Sequence, residues 1–126
     1  MIQGSCLCGA IRLAITGPIG PITACHCTQC RKTSGHFAAS FDVDDESRLT
    51  LTGTPKWHVL PSGAKRAFCG TCGSSVGFRD KEGNLSIEAG MIDGPTGAKL
   101  TAHTYTACKG DYYAIADDAA QQADNG

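Results

Sequence analysis

Eight cysteines stand in a chain of 126 residues, and seven of them fall into three tight groups. The groups are Cys6-Leu7-Cys8, Cys25-His26-Cys27-Thr28-Gln29-Cys30 and Cys69-Gly70-Thr71-Cys72, with Cys108 left alone. Such density has two ordinary explanations, a disulfide framework or thiolate ligands to metal. Spacing separates them. Cys6 and Cys8 stand too close to bridge each other without strain, as do Cys25 and Cys27, whereas close thiol pairs readily grip one ion. The N-terminus, Met1-Ile2-Gln3-Gly4-Ser5, has no basic region followed by an apolar run, so no secretion signal favours disulfides. Metal is expected. Zinc is the first choice, because it accepts several thiolates in a tetrahedron and undergoes no redox chemistry; iron held by four thiolates or in an iron–sulfur cluster is the alternative.

The rest of the chain alternates with period two. Ile11, Leu13 and Ile15 oppose Ala10, Arg12 and Ala14, and Gly17-Pro18-Ile19-Gly20-Pro21 then stops that strand. Further strands are expected at Ile22–Ala24, from Phe37 to Val43, from Leu49 to Thr52 and around Trp57 to Val59. Ser75–Arg79 and Leu85–Glu88 bracket a hairpin turn, and 100–106 gives a last strand. Thr28 to Ser34 lacks alternation and ends at Gly35, which suits one or two helical turns with Thr28 as N-cap and glycine past the end. These elements predict one mainly β domain of short strands over residues 1–116, with at most one or two short helices. The tail 117–126 holds no aliphatic residue larger than alanine and is expected to fray.

Two of the cysteine groups end in glycine and precede a strand: Cys6-Leu7-Cys8-Gly9 and Cys69-Gly70-Thr71-Cys72-Gly73. Glycine reaches positive φ and lets backbone N–H groups turn onto the sulfurs, so two such knuckles can close one four-thiolate site. Cys6, Cys8, Cys69 and Cys72 are therefore assigned to a structural zinc. Cys69 and Cys72 also have the spacing of a redox dithiol, but the β-α-β context that chemistry uses is missing, and Cys6 and Cys8 would have no task.

Cys25, Cys27 and Cys30 then remain as three ligands for a second ion. Three protein ligands leave a fourth position for water or substrate, the arrangement of a catalytic site. Cys108, His26 or His36 could instead close it as a second structural metal. An ion outweighed by three thiolates is a poor Lewis acid, so activation of a guest thiol is the chemistry this donor set favours. Arg31 and Lys32 could offset the excess negative charge or hold a substrate carboxylate, although residues so placed are commonly just solvated. His26 lies between two ligands on an extended segment and should point away from them. His36 could shuttle a proton, and His58 and His103 lie in strands, where structural roles are commoner.

The formal charge of −1 and scattered basic residues give no footprint for nucleic acid, and no apolar run is long enough for a membrane span. A soluble, cytoplasmic protein is expected.

Gly4-Ser5-Cys6-Leu7-Cys8-Gly9-Ala10, Cys25-His26-Cys27 with Cys30-Arg31-Lys32 and Ser34-Gly35, and Phe68-Cys69-Gly70-Thr71-Cys72-Gly73-Ser74 together resemble the glutathione-dependent formaldehyde-activating enzyme family, which includes the domain of centromere protein V. Met91-Ile92-Asp93, His103 and Lys109-Gly110-Asp111-Tyr112 resemble the family's C-terminal pattern, with Tyr112 where tryptophan is usual. The resemblance implies a β-tent of short antiparallel sheets. It also implies a structural zinc on the four outer cysteines and a catalytic zinc on the central three. The activity it implies is carbon–sulfur lyase or synthase chemistry on a small thiol adduct, of the glutathione and formaldehyde type. A noncatalytic protein-interaction module and a thiol or zinc sensor are the competing functions.

Overall fold

The computed structural model describes residues 1–124. Eleven strands form two sheets, with one α-helix and three short 3₁₀ turns among the described residues. The smaller sheet is antiparallel, in the order β1 (Ile2–Ser5), β2 (Arg12–Ile15), β5 (Leu49–Thr52). The larger one takes β3 (Ile22–Cys25), β4 (Ala38–Val43), β6 (Lys56–Val59), β7 (Lys65–Phe68), β8 (Ser75–Arg79), β9 (Leu85–Glu88), β10 (Leu100–Thr104) and β11 (Ala120–Gln121). Their order is β11-β10-β3-β4-β9-β8-β7-β6. Among the described residues no helix is long and apolar enough to cross a membrane.

Alternation decides which faces meet. Ile11, Leu13 and Ile15 from the small sheet pack with Phe41, Val76, Ile87 and Met91 in a single buried cluster. Burying an aliphatic or aromatic side chain of this size contributes about 1.5–3 kcal/mol, so this shared cluster is what holds the two sheets face to face.

Three features depart from the sequence expectation. Ile2–Ser5 carries no apolar alternation, yet it forms β1 because β2 offers a free edge, pairing Ile2 with Ile15 and Ser5 with Arg12. The sheets are not wholly antiparallel, since β10 runs parallel to both β3 and β11. The segment from 117, expected to fray, is tied back along β10: Ala120–Gln121 pairs with it, and the Gln122 N–H donates to His103 O at 2.9 Å. Backbone pairing holds it where side-chain hydrophobicity would not. Residues 125 and 126 of that tail lie outside the described residues.

Gly53 ends β5 at φ 85°, where a Cβ would sit 2.2 Å from the Ala10 carbonyl oxygen. Both the left-handed backbone and the close approach require glycine. Gly53→Ala should cost more than about 2 kcal/mol, read as a lowered midpoint in denaturant unfolding with an unchanged m-value.

Candidate metal centre

The first knuckle follows β1 and the second follows β7, so each hangs from a different sheet. Their backbones match. The Cys6 N–H donates to Ile11 O and the Cys69 N–H to Ser74 O, both at 2.9 Å, while Gly9 and Gly73 turn at φ 81° and 80°. One bond joins them, from the Leu7 N–H to the Ser74 hydroxyl, and within the first knuckle the Ile11 N–H points at the Cys6 sulfur at 3.3 Å. The four ligand sulfurs of Cys6, Cys8, Cys69 and Cys72 all lie within 4.8 Å of one another, and no cysteine of the chain is in a disulfide.

Spacing tests whether a metal fits. A tetrahedron with zinc–sulfur bonds near 2.3 Å has a sulfur–sulfur edge of about 3.8 Å. Cys6 to Cys8 and Cys8 to Cys69 are both 3.7 Å, far above a covalent S–S bond and matching that edge. The donor set fits. Local hydrogen bonds already favour thiolate at one corner, where the Ser74 hydroxyl, and after it the Ser74 N–H, draw the Cys72 thiol down to about 5.

The second group is built at the end of β3. Cys25 is its last residue, Cys27 follows, and Cys30 lies in the first turn of α1 (Thr28–Ser34). The helix starts where the sequence predicts, but its N-cap is Cys27, not Thr28. Cys27 Sγ accepts from the Cys30 N–H at 3.3 Å, because sulfur stands where a capping oxygen usually would. Gly35 closes the helix at φ 85° as expected. The sulfurs of Cys25, Cys27 and Cys30 lie within 4.8 Å of one another, and the group does not extend to Cys108, His26 or His36. These three sulfurs also suit a thiophilic divalent ion.

Protons are shared unequally in this trio. Hydrogen bonding from Cys30 is the main influence that pulls the Cys25 thiol down to about 5, helped by the Cys27 N–H and the Thr104 hydroxyl. Cys30 is driven up by the same contact and by burial, with Arg66 opposing. Arg66 is 8% exposed, its guanidinium lies 4.8 Å from the Phe78 ring, and its Nη2 donates toward Cys30 Sγ at 3.5 Å. A divalent ion with three thiolates carries one excess negative charge, and this buried guanidinium is the cation that offsets it. Neither Arg31 nor Lys32 touches a sulfur. Lys32 is exposed, and Arg31 Nε is buried without a partner.

The imidazoles occupy the other face. His26 is 1% exposed and joins a hydrogen-bonded chain that runs from the interior to an exposed carboxylate: Tyr113 Oη to His26 Nδ1 at 2.6 Å, His26 Nε2 to His103 Nδ1 at 2.9 Å, and His103 Nε2 to Asp117 at 3.0 Å. A carboxylate only accepts, so His103 donates from Nε2. Burial, reinforced by His103, lowers the His26 pKa and keeps that ring neutral. His36 is exposed and bonds Tyr112 Oη at 2.8 Å; Cys108 is exposed. Lys109 Nζ, part of the expected C-terminal pattern, ties the carbonyls of Gly110 and Tyr113. Arg66, Thr104, Tyr113 and Asp117 were not singled out from sequence. The sequence carried no clear signal for them, since Arg66 stands beside Lys65 in the mixed segment Ala64 to Phe68.

A family profile described as glutathione-dependent formaldehyde-activating enzyme matches residues 1–108. The chain belongs to this family. An uncharacterized lyase of Schizosaccharomyces pombe is 26% identical over 117 residues, covering 91% of this chain and 85% of its own length. A crystal structure of a Rhodobacter sphaeroides protein aligns with a TM-score of 0.58 at 20% identity, covering 79% of this chain and 99% of the other, which shows a shared fold. Family membership supports a lyase-type function at the level of the family, and the two cysteine groups give its members' zinc somewhere to bind.

Cys69→Ser should lower bound metal by about one ion per chain and abolish cooperative unfolding near ambient temperature, because metal-binding energy at such a site is folding energy, about 10–16 kcal/mol. Metal analysis and thermal unfolding of the same sample check it; an unchanged midpoint would contradict it.

Proposed function

We propose that this protein is a zinc-dependent carbon–sulfur lyase, joining and separating a small thiol of the glutathione type and an aldehyde of the formaldehyde type. Cys25, Cys27 and Cys30 hold the reactive ion, and Cys6, Cys8, Cys69 and Cys72 hold a structural one. The reading rests on the donor count. Three sulfurs converge, and the candidates for a fourth ligand are engaged or exposed elsewhere. The family description and the lyase name of the fission-yeast relative support the same class of chemistry.

A zinc ion bound by three thiolates supplies a position where a guest thiol loses its proton and stays nucleophilic. The chain's own residues set up that position. Thr104 of β10 stands opposite Cys25, the Cys30 N–H bonds Cys27, and Arg66 bonds Cys30, so each cysteine is positioned by a different element. The two hydrogen bonds also draw charge from the sulfurs, which favours a further anionic sulfur beside them. The hydrogen-bonded chain from Tyr113 to Asp117 fixes the backbone at His26 from the opposite side. Cys25 and Cys27 are thereby held at one spacing.

Exchange between free and hydroxymethylated glutathione, followed by NMR in formaldehyde and corrected for the spontaneous rate, tests the reading. The protein should accelerate exchange, and Cys27→Ser should return it to the spontaneous rate. Equal rates with and without wild-type protein would remove this thiol and aldehyde pair as substrates.

A further inference from the structure

Paired residues on neighbouring strands share a face, so the register of the large sheet shows what stands beside the three cysteines. Cys25 on β3 faces Ala38 on β4, and two residues along β4, Ser40 faces Glu88 on β9. Ser86, two residues from Glu88, faces Phe78 on β8, and Phe78 faces Arg66 on β7. Cys25, Ser40, Glu88, Phe78 and Arg66 therefore project from one face. Leu85 and Ile87 of the same β9 point into the core on the other. The Arg66 side chain crosses this face from β7, over Phe78, to reach Cys30 in α1. Its path runs past the strand that carries Glu88.

Two polar groups on this face lack partners. Arg66 Nε is buried with no hydrogen bond. The carboxyl of Glu88 makes no hydrogen bond or ion pair among the described residues, although Arg66 and Cys25 both act on it electrostatically. A buried donor left unpaired is unfavourable, so Arg66 Nε gains when a guest acceptor arrives, and the half-buried Glu88 carboxyl is open to accept from a guest donor. A hydroxymethyl group bears both.

We propose that Glu88 is a catalytic carboxyl, carrying the proton between the thiol sulfur and the aldehyde oxygen of the lyase reaction proposed above, on which this inference rests. In the synthetic direction the Glu88 carboxylate takes the proton as the S–H bond breaks. The sulfur lone pair forms the S–C bond, the carbonyl π pair moves to oxygen, and the Glu88 carboxylic acid returns the proton to that oxygen. The sum is RSH plus H₂C=O giving RS–CH₂–OH, with no oxidant or reductant. The lyase direction reverses each step. Burial is the main influence raising the Glu88 pKa above the ordinary carboxylate range; the Cys25 sulfur adds to it and Arg66 opposes it.

The NMR exchange assay on the metal-loaded full chain tests the assignment. Glu88→Gln should lower the catalysed rate about 10²–10⁴-fold, with metal content and melting temperature at wild-type values. Glu88→Asp should fall between the two, and added acetate should restore part of the rate lost in Glu88→Ala. A Glu88→Gln rate within twofold of an active wild type would overturn the assignment. Loss of metal in Glu88→Gln with no acetate rescue of Glu88→Ala would overturn it too, making the residue structural. An inactive wild type would instead refute the lyase reading itself and this inference with it.

Discussion

Sulfur atoms packed at van der Waals range repel one another once ionised, and the arrangement of this protein depends on offsetting that repulsion twice. At the outer group the offset falls between two sheets. The knuckle after β1 and the knuckle after β7 bring Cys6 to Cys8 and Cys8 to Cys69 to 3.7 Å, the edge length of a four-sulfur tetrahedron. A metal there would tie two layers that also meet through the shared apolar cluster and the Arg79–Glu46 ion pair. The inner group has one sulfur fewer and a buried guanidinium instead. Arg66 supplies positive charge as a hydrogen-bond donor to Cys30 rather than as a ligand, so the same repulsion is eased by a side chain instead of a fourth sulfur.

Period-two alternation at the end of β3 separates the chemistry. Cys25 and Cys27 face α1 and Arg66, and His26 between them faces the chain of Tyr113, His103 and Asp117. That second face draws on β10 and on the segment leading to β11, so the C-terminal part of the chain helps position the central cysteines. The parallel register of β10 on β3 sets Thr104 opposite Cys25 and His103 opposite Ala24.

Local pattern carried much of this. Ile11, Leu13 and Ile15 announced their strand, Gly9 and Gly73 announced left-handed turns, and the direction of His26 away from the sulfurs followed from its place between two extended ligands. The grouping of the cysteines into four and three was legible because each half-site is a few residues long. Arg66, Glu88 and Asp117 were not legible, because register brings them in: Arg66 is 36 positions from Cys30, and Tyr113 is 87 from His26. The capping role of Cys27 was missed because thiols rank below hydroxyls as caps, and β1 and β11 because pairing alone specifies them.

The central claim is that one metal position is closed by four cysteines and the other is left one ligand short. X-ray absorption at the metal edge of the fully loaded protein counts the sulfurs directly. The account predicts an average of about 3.5 sulfurs per zinc, rising to about 4 when glutathione is added. An average of about 4 without any added thiol would contradict it.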